Sequence, residues 1–322
     1  MSALELIQIN LFSPVILCFF LGIIATLVKS DLRFPEPLYQ ALSIYLLLAI
    51  GMKGGFAIRA STESGILLAL VSGIILSALI PLWAYPILRF MGRFNKADAA
   101  AVAAHYGSVS VVTFLAATTF LSAIGVHYEG FFPALVAVME IPGIIVALLL
   151  IGRSREEPTP WFESFYTVLS GKSVFLLIGG LAVGYVSGEQ GMTKVEPFLI
   201  APFHGVLCLF LLEMGMLASR RFGDLKRVGK FIITFGVLMP IANAIIGILV
   251  GSLIGLSQGG AFILGTLASS ASYIAAPATI RLAVPEASPA LYLTSSLAIT
   301  FPFNLTIGIP LYFTIARWLI PA

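Results

Sequence analysis

Two short segments carry the chemistry of this sequence. Gly107-Ser108-Val109-Ser110 and Ser269-Ser270-Ala271-Ser272 set hydroxyls and small residues inside runs that are otherwise apolar. Gly and Ser loosen a helix, and a break within an apolar helix exposes the backbone N–H groups that begin the following half-helix. Those N–H groups and the hydroxyls of Ser108, Ser110, Ser270 and Ser272 favour a small anion of single charge, bound by dipoles rather than by a buried Arg or Lys. Gly107, Val109, Ser269 and Ala271 would supply backbone. Taken singly, either segment could equally be a close-packing patch, because small residues let membrane helices approach and Ser can bond to a carbonyl one turn back. Depth favours a site. Ser108 lies ten residues after Asp98, about 15 Å of helix, and Ser270 lies ten residues after Gly260.

The elements that must position these segments are membrane helices. The chain has 322 residues, 59% apolar and only 10% charged, with a mean hydropathy of +1.04. This composition excludes an ordinary soluble protein. Apolar runs at 11–28, 38–58, 65–91, 98–124, 131–152, 173–186, 198–219, 231–256, 260–284 and 290–320 predict ten transmembrane helices in an all-α polytopic membrane protein. The first run lacks a charged leader and a small-residue cleavage site, so it reads as a retained span.

Loop cations set the expected orientation. Lys29, Arg33, Arg89, Arg93, Lys96, Arg153, Arg155, Lys172, Arg220, Arg221, Lys226, Arg227, Lys230 and Arg281 fall on one side, and Lys53, Arg59, Lys194 and Arg317 on the other. Cytoplasmic loops carry the excess, which predicts a plasma (inner) membrane protein with both termini outside. Residues 153–172 form a cytoplasmic linker, or in part a short interfacial helix around Trp161-Phe162.

That linker divides the chain into a first five-helix repeat at 1–152 and a second at 173–322. Pro35-Glu36-Pro37-Leu38 matches Val195-Glu196-Pro197-Phe198, Gly51-Met52 matches Gly215-Met216, the two Gly/Ser segments match each other, and Pro142 matches Pro302. All four pairs are offset by about 160 residues. Five is odd, so the second half enters from the opposite face, giving the inverted 5+5 repeat of secondary transporters, with discontinuous helices at the site.

Other polar residues inside the spans are few. Glu140 near Pro142, and Thr300 and Asn304 near Pro302, offer carboxylate, hydroxyl and amide oxygens beside carbonyls freed at the prolines, a ligand set that suits sodium. Glu140 reads equally as a protonated carboxyl donating to a neighbouring helix. His105 reads as a histidine bonded to a carbonyl more readily than as a substrate donor, and His204, Asn243, Thr113 and Glu213 take the same structural reading. Lys53, among Gly51, Gly54 and Gly55, reads as a side chain reaching the outer headgroup region beside a hinge or an unwound helix end.

Several function classes drop out. Net charge is only +3, giving no support for a nucleic-acid partner. Cys18 and Cys208 sit in apolar runs with no metal spacing, so no metal beyond sodium and no redox cofactor is expected. A membrane serine protease would need a glycine-flanked serine motif that is missing, and a proton antiporter would place carboxylates at the midplane, where spans 4 and 9 have none. No catalytic residue is assigned, and the protein is expected not to be an enzyme.

The stretches Ala104-His105-Tyr106-Gly107-Ser108-Val109-Ser110-Val111-Val112-Thr113-Phe114 and Ala268-Ser269-Ser270-Ala271-Ser272-Tyr273-Ile274-Ala275-Ala276-Pro277-Ala278 resemble the cyanobacterial sodium-dependent bicarbonate transporter family, the SbtA type. The resemblance covers essentially the whole chain. It implies a moving core domain and a gate domain, a homotrimer, and sodium-coupled bicarbonate uptake for a carbon-concentrating mechanism. It also implies that the two Gly/Ser segments form the bicarbonate site and that a soluble trimeric P-II-like regulator binds the cytoplasmic face. The expected function is therefore a sodium-coupled bicarbonate symporter working by elevator-like alternating access. Transport of another small monovalent anion, or a non-transporting membrane sensor of carbon status, are the alternatives.

Overall fold

The computed structural model describes residues 1–60, 65–152 and 170–320; the expected linker lies outside them except for its last three residues. Among the described residues all regular structure is helical. The first half holds α1 (Ala3–Leu11), α2 (Pro14–Leu27), α3 (Glu36–Ala60), α4 (Ile66–Pro86), α5 (Lys96–Gly107), α6 (Val111–Ala123), α7 (Phe132–Met139) and α8 (Pro142–Gly152). The second holds α9 (Lys172–Val195), α10 (Phe203–Arg220), α11 (Leu225–Leu253), α12 (Gln258–Ser269), α13 (Ala275–Ala283) and α14 (Pro289–Leu319).

Seven helical segments are long and apolar enough to cross a membrane, or up to eight when the α1–α2 pair, bent by 60°, counts as one. The chain is a polytopic membrane protein. One of these segments, Phe203–Leu253, holds two helices, α10 and α11, joined by a 3-10 turn at Phe222–Asp224 and a kink at Gly229, and each of the two is long enough to approach or span a hydrocarbon core of roughly 30 Å. The run at 260–284 falls on α12 and α13, neither of which is long enough alone.

Two features differ from the sequence expectation. A separate helix, α1, precedes the first apolar run, begun by a capping box in which Ser2 accepts from the Glu5 N–H and the Glu5 carboxylate accepts from the Ser2 N–H. The two prolines matched in the repeat also act differently. Pro142 opens α8 after a break at Glu140-Ile141, whereas Pro302 sits in a helix that stays continuous through π-helical turns at Thr294–Thr300 and Asn304–Gly308. A π turn frees carbonyls without ending the helix, and the buried Asn10 amide of α1 donates to one of them, Leu305, at 2.6 Å.

Close packing organises the bundle into two groups. Helix α2 lies against α10 and α3 against α9, and in both pairs glycines let backbone meet backbone. A Cβ at Gly22 would run into the Leu212 carbonyl, and one at Gly215 into that of Phe19. In the other pair, Gly55 abuts the Leu181 carbonyl and Gly184 that of Met52. Cys18 and Cys208 meet across the α2–α10 contact as half-buried free thiols. The remaining helices gather around α5, which is buried along its length from Ala99 to Gly107, with α4 and α8 against it and α12 packed on α11.

Overpacking a buried contact usually costs about 1–3 kcal/mol, and here the obstacle is backbone, which gives way less than a side chain. Gly184→Val and Gly215→Val are therefore each expected to lower the thermal midpoint of the detergent-solubilised protein by several degrees or more. Gly179→Val, where a Cβ meets nothing within 4 Å, is the matched control and leaves the midpoint unchanged. Melting followed by intrinsic fluorescence or light scattering reads the difference.

Candidate functional site

Both Gly/Ser segments are breaks, and the two breaks cross. Helix α5 starts at an Asn95 cap, whose side chain accepts from the Asp98 N–H at 2.7 Å, and stops at Gly107. Ser108 and Ser110 are extended, and the Ser110 hydroxyl oxygen accepts from the Thr113 N–H at 3.2 Å to begin α6. Helix α12 ends at Ser269, Ser270 is extended, and the Ser272 oxygen accepts from the Ala276 N–H at 3.2 Å at the start of α13. At the first break Ser110 is the N-cap of the next half-helix, the role for which Ser is favoured, and at the second the Ser272 oxygen, two residues before the Ile274 cap, meets an N–H of the first turn.

The backbone groups freed at one break are satisfied by the other. The Ser272 N–H donates to the carbonyls of His105 (2.8 Å) and Ser108 (3.0 Å). The Ser110 N–H donates to the Ser270 hydroxyl at 2.8 Å, and that hydroxyl donates in turn to the Leu267 carbonyl at 2.7 Å. Such mutual pairing lets non-helical backbone persist at this depth.

Behind the crossing, Ser77 of α4 ties three elements together. Its hydroxyl points to the carbonyls of Gly107 (2.7 Å) and Met139 (2.9 Å) and accepts from the Gly143 N–H (3.1 Å). Gly107 and Gly143 meet without side chains between them; a Cβ on Gly107 would lie 2.8 Å from the Gly143 Cα and 2.5 Å from Pro81 Cγ. Sequence reasoning missed Ser77, a single hydroxyl in an apolar helix, because its partners become visible only once α5 and the α7–α8 break are known.

A narrow cleft opens beside the crossing, with room for the centres of only one or two water-sized groups, about 20 Å³. One wall is Ser43, Leu46 and Leu47 of α3, Ser173 of α9 and Phe210 of α10; the other is Val109 to Val112, Leu115, Glu140 and Ser272 to Ala275. Its polar groups are the hydroxyls of Ser43, Ser110, Ser173, Ser272 and Tyr273 and the Glu140 carboxyl, with no Lys or Arg among the described residues. The N–H groups of Val111, Val112 and Ala275 belong to helix starts, where no carbonyl four residues back is available within the helix.

Of the eight residues expected to bind substrate, Val109, Ser110 and Ser272 line this cleft. Gly107, Ser108, Ser269, Ser270 and Ala271 are buried in the crossing, where Ser269 donates to the Thr266 carbonyl (2.8 Å) and Ser270 acts as a brace. The Ser108 hydroxyl is fully buried with no hydrogen-bond partner. Ser43, Ser173 and Tyr273 were not foreseen, since lone hydroxyls on other helices give no local signal.

The three residues expected to hold sodium are not gathered in one place. Glu140 faces the cleft, and its Oε2 has no partner. Thr300 is the middle of a relay in which Ser295 donates to Tyr106 (3.1 Å), Tyr106 to Thr300 (2.6 Å) and Thr300 to the Gly236 carbonyl (2.8 Å). Asn304 donates to the Ser269 carbonyl (3.2 Å) at the second break and accepts from the Tyr312 hydroxyl (2.7 Å). His105 bonds through Nδ1 to the Ala101 carbonyl at 2.7 Å and stacks on Tyr292, as its structural reading anticipated. A carbonyl only accepts, so Nδ1 carries the proton, and buried Nε2 is a bare acceptor without a partner.

A family model for the Na+-dependent bicarbonate transporter superfamily matches residues 14–317, and the chain belongs to that superfamily. No curated protein matches the sequence.

Removing the Ser77 hydroxyl strands the buried Gly143 N–H and the Gly107 carbonyl, at a cost of about 1–3 kcal/mol. Ser77→Ala is expected to lower the melting temperature measurably, and Ser77→Thr, which keeps the hydroxyl, to recover part of the loss. An unchanged melt for Ser77→Ala would remove the tie from this account.

Proposed function

We propose that the protein is a sodium-coupled bicarbonate symporter that takes up inorganic carbon by alternating access, through an elevator-like movement of one helix group past the other. The observation that carries this reading is the crossing of the two broken helices, whose half-helices border a cleft with hydroxyls and, among the described residues, no cationic side chain. Membership of the sodium-dependent bicarbonate transporter superfamily supplies the substrate and the ion.

Ten crossings in an inverted 5+5 arrangement fit the packing. Exchanging the halves turns α2 on α10 into α9 on α3, and α4 on α5 into α11 on α12, so the dominant contacts map onto one another. The cleft lies on the seam between two groups, with α3, α9 and α10 on one side and α6, α13 and the α7–α8 break on the other. On this reading α2, α3, α9 and α10 form the gate, the helices around the crossing form the moving core, and displacement along the seam carries the cleft from one face to the other. The plasma membrane location with both termini outside, the homotrimer and the P-II-like regulator at the cytoplasmic face belong to the same proposal.

Substrate recognition follows from the groups present. Bicarbonate has one charge and can both accept from and donate to hydrogen-bonding groups. The hydroxyls of Ser110 and Ser272 and the half-helix N–H groups act on its oxygens, and Glu140 accepts its proton-bearing oxygen or joins the sodium ligands. Sodium offsets the anion's charge, so the loaded site moves without the full cost of an uncompensated ion in a low-dielectric surrounding. Sodium ligation is assigned to Glu140 from the cleft, and to Asn304 and Thr300 behind it after a rearrangement that releases them from their present partners. No catalytic step is involved.

A hydrogen bond to a charged ligand contributes about 1.5–3 kcal/mol, so Ser110→Ala and Ser272→Ala are each expected to raise the half-saturation for bicarbonate roughly tenfold or more at normal expression. Wild-type kinetics in both would return the cleft to a packing role. Uptake of labelled bicarbonate into sealed proteoliposomes should accumulate under an inward sodium gradient and collapse when choline replaces sodium. Flux that ignores sodium would sink the coupling, and competition by another small anion without bicarbonate uptake would change the cargo.

A further inference from the structure

A second and larger cavity, about 470 Å³, lies along the same seam beyond the cleft. Helices α3 and α6 line both. In the cleft they contribute Leu46, Leu47, Val111, Val112 and Leu115; in the larger cavity they contribute Ala49, Ile50, Lys53, Thr118, Thr119 and Ser122. On each helix the two sets lie within one turn of each other, Leu47 next to Ala49 and Leu115 next to Thr118.

The lining of this cavity carries one fixed cation and two imidazoles. Lys53 of α3, His127 of the loop before α7 and His204 of α10 come to it from three elements. Two of the chain's three histidines are therefore here, and the third, His105, is buried at the crossing. No carboxylate lines it among the described residues. Glu129, two residues from His127, is drawn aside by the Ser257 N–H (2.6 Å) and hydroxyl (3.1 Å). Thr118 and Ser122 donate their hydroxyl protons to the Leu115 and Thr118 carbonyls, leaving Lys53, the imidazoles and the hydroxyls of Thr119 and Tyr128 as the polar groups of the wall. Lys53, expected to reach the outer headgroup region, is exposed and also borders this cavity.

We propose that this cavity is an entry site for a small monovalent oxyanion, held loosely and still hydrated by Lys53, His127 and His204 before it reaches the cleft at the crossed helices. The size supports hydration, since the space greatly exceeds that of a bare four-atom anion, while the cleft admits the centres of only one or two water-sized groups. The division of labour is physical. A fixed cation in an open cavity raises the local anion concentration, and a tight dipole-lined cleft can then select without a buried cation. This site rests on the transport reading for its cargo, but its occupancy can be measured without transport.

Diethylpyrocarbonate labels accessible imidazoles, and mass spectrometry of the purified full chain separates His127, His204 and His105. Bicarbonate is expected to protect His127 and His204, against the same ionic strength of a bulky sulfonate, while buried His105 stays unlabelled and reports an intact fold. Lys53→Gln should raise the bicarbonate needed for half-protection on the order of fivefold, and Lys53→Arg should restore it. Ser272→Ala should keep the protection while losing affinity in uptake, which separates this site from the cleft. Protection without uptake in any variant would overturn the transport reading and leave the site standing. Uptake without protection, protection by sulfonate equal to that by bicarbonate, or protection unchanged in Lys53→Gln would overturn the site.

Discussion

Everything at the centre of this protein depends on backbone hydrogen bonds having somewhere to go. Within a hydrocarbon layer each unpaired N–H or carbonyl costs several kcal/mol, so a broken helix is tenable only if something else satisfies its ends. Here the partner of one broken helix is the other. The Ser272 N–H bonds to the carbonyls of His105 and Ser108, and the Ser110 N–H to the Ser270 hydroxyl, so neither break is stable in isolation. Ser77 extends this dependence to α4 and the α7–α8 break. The polar cleft is what remains at the edge of that exchange: groups that serve the ligand because the crossing has not consumed them.

The sequence made the breaks legible because Gly and Ser are conspicuous against apolar neighbours, and the depth of Ser108 and Ser270 could be counted from the helix starts. It could not show which hydroxyls the crossing would use. Ser270 and Ser110 look alike in the sequence; one braces the other's backbone while the second borders the cleft. Ser43, Ser173 and Ser77 were invisible for a related reason, since a lone hydroxyl acquires a role only from what packs opposite. Pro142 and Pro302 share a repeat position but meet different surroundings. The first starts a helix after a true break, and the second is absorbed by π turns whose carbonyls find Asn10.

Charge is kept away from the tight part of the path. Lys53 and two histidines line the larger cavity and not the cleft, whose wall, among the described residues, holds the Glu140 carboxyl and the Tyr273 phenol as its ionisable groups. A fixed cation beside the bound anion would deepen the well in which the anion sits and slow its departure. Dipoles and hydroxyls hold it less tightly, and their strength hardly varies with the salt outside. The glycine contacts of α2 with α10 and α3 with α9 give the opposite mechanical quality. Backbone pressed on backbone leaves no side chains to repack, so each pair is suited to behave as one stiff unit.

The bond from Asn10 to the Leu305 carbonyl joins residues 295 apart in the chain, and that between Ser110 and Ser270 joins residues 160 apart. At about 5–20 residues per second, the ribosome takes roughly 15–60 s to deliver the partner of Asn10. Throughout that interval α1 and the first broken helix are in the bilayer, or at its surface, with polar backbone and an amide that nothing yet satisfies. Assembly of this protein is therefore late and nearly simultaneous, with its earliest helix among the last to dock. A nascent chain halted before α14 would leave those unmet groups for membrane quality control to recognise.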